Sequence, residues 1–179
     1  RPVFFAGNLT GGQIACQAVH RAISLAKESV PLEKIILQAN LNLAKIAEKA
    51  EISPERTDLL PGATFALAKI EKDRIAIIQG GDCFALWIKT DGTSGITTNQ
   101  LFHYDMETRR IIAALMKKHR GDRKEMWKEF APILSDLRQT HVNREGRFGG
   151  YALLNGQDEV GNHWNLITLR RSEISFLMF

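Results

Sequence analysis

Residues 62–88, GATFALAKIEKDRIAIIQGGDCFALWI, constrain the fold more than any other stretch. Two apolar runs, 63–70 and 75–79, flank a charged turn at 71–74, which predicts an antiparallel hairpin. A Gly80-Gly81-Asp82 step then leads into a third apolar run, 83–89. These runs are nearly continuous in apolar side chains rather than alternating, so both faces of the sheet they form must be covered. The same step sets one carboxylate, Asp82, at a strand end. A bare glycine backbone there lets a ligand come close.

The covering layers are legible on either side of this stretch. Upstream, PVFFA (residues 2–6) reads as a short buried strand and GNLTGG (7–12) as a turn. A helix over 13–27 then places Ile14, Ala15, Ala18, Val19, Ala22, Leu25 and Ala26 on one face. Pro31 suits the first turn of a second helix, whose stripe is Leu32, Ile35, Ile36, Ala39, Leu43, Ile46, Ala47 and Ala50. The polar segment 52–61 separates this helical part from the strands.

Downstream, Asp91-Gly92 is a two-residue hairpin signal, with a short strand at 95–98 completing a meander. Asp105 is placed to cap a third helix over 106–120, ended by Gly121. A fourth helix over 122–139 carries Met126, Trp127, Phe130, Leu134 and Leu137 on one face. Asn155-Gly156 marks a turn, and 163–170 with 173–179 reads as a final hairpin. Runs of strands and runs of helices, without strict βαβ alternation, argue for a single α+β domain over residues 1–179 with antiparallel pairing. Two packed sheets covered by helices would bury the apolar strands on both faces.

Composition closes off several classes. Hydrophobic residues are 44% and charged residues 25% of the 179, ordinary for a globular domain, and no apolar run reaches the length of a membrane span. Two cysteines, Cys16 and Cys83, form no disulfide framework. They fit a reducing, cytoplasmic setting, with one bridge between them left open. The net charge of +4 gathers at 116–129 and at Arg170-Arg171, but acidic residues are interleaved in both. That pattern reads as a solvated helix face before it reads as a nucleic-acid surface.

The order of these pieces resembles the metal-dependent type 2C protein phosphatases. Gly62-Ala63-Thr64 stands where that family has a Gly-Ser-Thr-Ala strand, and Gly81-Asp82-Cys83-Phe84 where it has Gly-Asp-Ser-Arg. Ile96-Thr97-Thr98-Asn99 is similar to its Leu-Thr-x-Asp segment. Gly12-Gln13-Ile14-Ala15-Cys16 resembles the start of its first long helix, and Gly150-Tyr151 with Leu154-Asn155-Gly156 the segment before its last hairpin. The resemblance implies a β-sandwich of two antiparallel sheets flanked by paired helices. It implies hydrolysis of phosphoserine and phosphothreonine on proteins by a metal-activated water, with a phosphorylated protein as substrate. Mn²⁺ or Mg²⁺ would be the cofactor, because hard cations take oxygen ligands, lower the pKa of bound water and neutralise phosphoryl oxygens.

The same resemblance implies site residues. Asp82 matches the family aspartate at an accessory metal position, and Gly7 stands where a backbone carbonyl would be offered to a metal. The family's Asp-Gly after its first strand is Ala6-Gly7 here, so that carboxylate is missing. Its phosphate-binding arginine would precede Arg1, and its Thr-Asp-Gly and Asp-Asn segments would follow Phe179. Two readings stand: a longer chain that supplies the remaining ligands, or a module that has lost its metal site and binds a phosphoprotein or regulatory partner.

Other candidates have plain readings beside them. Asp82 after two glycines is also a turn residue. Gly11-Gly12 could meet a phosphate at a helix N-terminus or simply turn the chain, and no Lys-Ser/Thr follows to make a P-loop. His141 and Arg144 precede the glycine-rich GRFGGY lip and could face a substrate, or be solvated loop residues. Cys83 has no neighbour in sequence that would activate it, and the five histidines show no zinc spacing.

Overall fold

A computed structural model describes residues 4–5, 8–146 and 149–179. The architecture is α+β, with four α-helices and small antiparallel sheets among the described residues. Strands β1 (Phe4–Phe5) and β2 (Leu9–Thr10) pair antiparallel and deliver the chain into α1 (Gly11–Leu25). The helix begins two residues before the expected start because Thr10 and Gln13 form a capping box. Thr10 Oγ1 accepts from Gln13 N–H at 3.3 Å, and Gln13 Oε1 accepts from Thr10 N–H at 2.9 Å. It also ends earlier, at Leu25, whose side chain is 74% exposed rather than part of the buried face. Helix α2 (Leu32–Lys49) runs back against α1, with Pro31 just outside its first turn.

The central sheet has the order β3-β4-β7: β3 (Phe65–Ile70), β4 (Arg74–Gly80) and β7 (Asn165–Arg170). The expected hairpin is present, with Phe65 opposite Gly80 and Ile70 opposite Ile75. Its first strand starts at Phe65, since Ala63 is occupied in a separate bridge to Leu154. The middle strand β4 is buried on both sides, as its continuous apolar run requires. Ala76 and Ile78 pack with Ile14, Ala15, Ala18, Ile36 and Leu43 of the helix pair. Ile75 and Ile77 point the other way.

A second sheet is ordered β6-β5-β8: β5 (Leu86–Lys89), β6 (Ser94–Ile96) and β8 (Ile174–Met178). Trp87, Ile174 and Leu177 join Ile75, Ile77, Ala68, Ile167 and Leu169 in one apolar cluster, so side chains of the two sheets share a core. A register irregularity between Ile88 and Lys89 lets Ile174 and Leu177, three residues apart, both reach it. The reverse face of this sheet shows Ile88, Ile96, Phe176 and Met178 to solvent. The Asp91-Gly92 turn is as expected: Gly92 has φ +85° and Asp91 Oδ1 accepts from Thr93 N–H at 2.9 Å. Residues 83–85 precede the strand rather than belonging to it.

The final hairpin is not formed. β7 pairs with β4 and β8 pairs with β5, so the two strands lie in different sheets. The cause is the short 3-10 turn Arg171–Glu173 between them, pinned at both ends. Arg171 N–H donates to Asp73 O at 3.0 Å, and Thr90 N–H donates to Glu173 O at 2.8 Å. Each strand then buries its apolar side in the shared cluster, which a local hairpin would not permit.

Helices α3 (Phe102–Lys118) and α4 (Arg123–His141) form a second antiparallel pair. Asp105 is not the cap of α3: it sits in the first turn, and Asn99 Oδ1 instead accepts from Leu101 N–H at 2.9 Å. Asp122 does cap α4 through Lys124 and Glu125 N–H. Met126 and Phe130 are buried, but Trp127 is exposed, tilted against Phe130 instead of entering the core. Within the basic 116–129 segment Lys118 and His119 meet Glu129 and Lys128 meets Glu125, while Lys117, Arg120, Arg123 and Lys124 are in no ion pair among the described residues. Both cysteines are free thiols. No helix among the described residues is long and apolar enough to cross a membrane.

Candidate functional site

The Gly80-Gly81-Asp82 step closes β4 and turns the chain toward the second sheet. Gly80 is required by packing, since a Cβ there would fall 2.6 Å from the Phe65 ring and 2.7 Å from the Ala152 methyl. Gly81 is required by conformation: φ is +78°, where L side chains are strained, and a Cβ would also strike Thr64.

Two amide side chains fix the turn. Gln79 is fully buried; its Nε2 donates to Gly81 O at 3.0 Å and Cys83 O at 2.7 Å, while its Oε1 accepts from Asn165 Nδ2 at 2.8 Å. Gln100 Oε1 accepts from Gly81 N–H at 2.8 Å and Ala152 N–H at 3.0 Å, and its Nε2 donates to His163 O at 2.6 Å. Thr97 Oγ1 accepts from Ala85 N–H at 2.9 Å just beyond. The loop is therefore held from β4, β7, the 97–100 segment and the 151–154 segment at once. Asp82 stands at its tip, exposed, with no hydrogen bond or ion pair among the described residues.

Behind the loop is an aromatic floor. Tyr104 and Tyr151 are buried edge to face, centroids 5.5 Å apart, and Tyr104 meets His141 at 5.7 Å. Burial raises the Tyr151 phenol well above the usual tyrosine range. Tyr104, Asp105 and Asp82 add to that rise, and Arg138 opposes it. Burial likewise raises Tyr104, again against the pull of Arg138. Both phenols are thus neutral at physiological pH, and Asp82 lies within electrostatic reach of Tyr151.

Of the sequence-derived candidates, Asp82 is presented to solvent on a braced loop. Gly7 lies outside the described residues, as does Ala6. His141 is not a solvated loop residue: it ends α4, is 2% exposed, and its Nδ1 is 2.8 Å from Leu137 O and from Thr140 Oγ1. Arg144 is exposed in the loop beyond. Cys83 Sγ donates to Thr64 Oγ1 at 3.4 Å, and among the described residues no basic side chain is bonded to it. At Gly11-Gly12 the capping box accounts for the helix start, and the turn reading is sufficient.

The donor set of the described residues does not fit the implied metal. Among the described residues no group of three His, Cys, Asp or Glu side chains is arranged to hold an ion. Around the loop the polar positions are amides, Gln79, Gln100 and Asn165, and each is spent on a structural bond. The described residues thus do not make a two-metal centre, which needs several carboxylates.

The amides leave little trace in the sequence. Gln79 had a signal, being the one uncharged polar side chain in the apolar run RIAIIQG. A second amide cluster was equally silent. Buried Asn40 on α2 accepts from Asn155 and Gly156 N–H at 3.1 and 2.9 Å and donates to Gln157 O at 2.8 Å. Asn143 Nδ2 donates to Asn155 Oδ1 at 2.9 Å. Its trace in sequence is an asparagine inside the apolar stripe of α2. No family model, no curated protein and no solved structure matches the chain.

Proposed function

We propose that this chain is a type 2C-like phosphatase domain that removes phosphate from phosphoserine or phosphothreonine of a protein substrate, with Mn²⁺ or Mg²⁺. The observation carrying this reading is the braced Gly80-Gly81-Asp82 turn, which holds a lone carboxylate in solvent at the end of a sheet covered on both faces. Asp82 would serve an accessory metal and Gly7 would offer a carbonyl. The paired-helix, two-sheet sandwich implied by the resemblance belongs to the same proposal. It is supported by the helix pair on one face of the central sheet and by the shared cluster on the other. The described residues supply one carboxylate to the site, so this reading requires the remaining ligands from a longer chain.

A second reading is favoured by the amides around the loop. A module with Gln79, Gln100 and Asn165 in its polar positions is built for rigidity rather than for cation binding. It would bind a phosphoprotein or a regulatory partner without turnover.

One experiment separates the two. Phosphate release from phosphothreonine and phosphoserine peptides is measured with Mn²⁺, with and without chelator, beside peptide binding by fluorescence anisotropy. The phosphatase reading expects chelator-sensitive release and a higher Mn²⁺ requirement in Asp82→Asn. Binding without release supports the module, and neither release nor binding removes both.

A further inference from the structure

The outer seam between α1 and α2 is a groove of about 860 Å³. Its floor is apolar. Ala18 and Ala22, one helical turn apart, keep α1 low along the seam, and Ile35 and Ile46 of α2 form the opposite wall. Exposed Leu25 adds to it where the two helices join.

The charged residues of the rim are all cationic, with the neutral amides Gln17, Gln38 and Asn42 beside them. Arg21 and Lys27 stand on the α1 side and Lys34, Lys45 and Lys49 on the α2 side, all exposed. No Asp or Glu lines the groove, and none of these five is in an ion pair among the described residues. Elsewhere among the described residues Arg56, Lys69, Arg74, Arg110, Lys118, Lys128 and Arg170 each meet a carboxylate while other cations, such as Lys72, Lys89 and Arg109, do not, so what marks the groove is the gathering of five cations around one apolar seam with no acid in its lining.

We propose that this groove docks an amphipathic helix of a partner protein, with an apolar stripe flanked by acidic side chains. The chemistry matches on both counts. A third helix laid along two others packs its apolar stripe into the seam, and carboxylates on its flanks meet the rim. The lysine and arginine stems extend the apolar wall while their charges stay in water. A nucleic acid would leave the alanine and isoleucine floor unused. Along the seam Ala18 and Ala22 are buried, so that, Leu25 at its end aside, the groove offers a recess that a helix can fill rather than a projecting apolar edge for a bilayer. The proposal is independent of the chemistry at Asp82.

The probe is a synthetic fluorescent helix of about 18 residues, the length of α2, with leucine at i, i+3, i+4 and i+7 and glutamate beside it. Binding to the intact chain is followed by anisotropy at low and high salt. Comparison probes are a scrambled peptide of equal composition, a lysine-for-glutamate peptide, vesicles of phosphatidylserine and phosphatidylcholine, and a single-stranded oligonucleotide. The acidic helix is expected to bind alone among them and to weaken with salt. Lys34→Glu with Lys45→Glu should lower its affinity about ten-fold or more, with the unfolding midpoint held. A photo-crosslinking version should mark α1 and α2. Equal binding of the scrambled peptide, indifference to the double reversal, or binding of vesicles or oligonucleotide in place of the acidic helix overturns the proposal.

Discussion

At Gln79 one buried amide makes three bonds that together decide the shape of the Asp82 turn. Gln79→Leu keeps much of the volume but strands Cys83 O and Asn165 Nδ2 without partners. Leaving buried groups unpaired should cost about 2–3 kcal/mol in urea denaturation. Asp82→Asn, at the exposed tip of the same loop, should stay within about 0.5 kcal/mol of the parent. If both substitutions cost the same, the amide brace is not what holds the turn. The tyrosine pair behind the loop gives a second test at this scale. Burial raises both phenols in the folded chain, so the folded state resists their ionisation while the unfolded chain ionises near the ordinary pKa of about 10. The unfolded state therefore loses protons first. Stability is complete below about pH 10 and falls as pH rises from there toward the raised folded values. Denaturation midpoints between neutral and strongly alkaline pH should show this fall, and Tyr151→Phe should flatten it. An unchanged slope in Tyr151→Phe would put the alkaline transition elsewhere.

Among the elements, the helices were the most legible because their apolar stripes repeat at helical spacing, yet their ends were not. The first helix starts at the Thr10–Gln13 capping box, and two glycines in its first turn hid that start. Thr10→Ala should cost about 1 kcal/mol, read as a lower midpoint with loss of helical ellipticity. No change would mean that the start is set by β1 and β2 alone. The strands were found by their apolar runs, but their partners were not. β7 and β8 are consecutive and separated by a charged turn, which in sequence is indistinguishable from a hairpin. What sends them into different sheets is the pinning of residues 171–173 to Asp73 and Thr90, contacts made far along the chain. The Asn40 latch shows the same limit. A polar residue in an apolar stripe looks like an error until Asn155, Gly156 and Gln157 arrive from more than a hundred residues away. Asn40→Leu should therefore destabilise by about 2–4 kcal/mol despite improving the stripe, since three backbone groups lose their partner. A neutral result would show that water replaces the latch.

For the molecule as a whole, the sequence set Asp82 at a strand end, and it is exposed two residues beyond β4, because glycine steps at strand ends are local signals. It could not show what surrounds that carboxylate, because Gln100 reaches a carbonyl 63 residues away and Asn165, opposite Gln79 on the neighbouring strand, lies 86 residues further along the chain. The continuous apolar run of β4 foretold burial on both faces, and Ile77 is where that claim has its sharpest consequence. Its side chain sits between Ala68 and Ile167 in register, fully buried, in the cluster that also holds Trp87 and Leu177 of the second sheet. Ile77→Ala should remove packing from both sheets at once and cost about 3–4 kcal/mol, whereas Ile70→Ala on the exposed end of β3 should cost under about 1 kcal/mol. If the two sheets are one cooperative unit, native-state hydrogen exchange in Ile77→Ala should lower the protection of Leu67 and Leu169 amides and of Trp87 and Leu177 amides by the same free energy. Loss confined to the central sheet, with the second sheet unchanged, would mean that the shared cluster touches without coupling, and that the loop carrying Asp82 joins two separately stable parts.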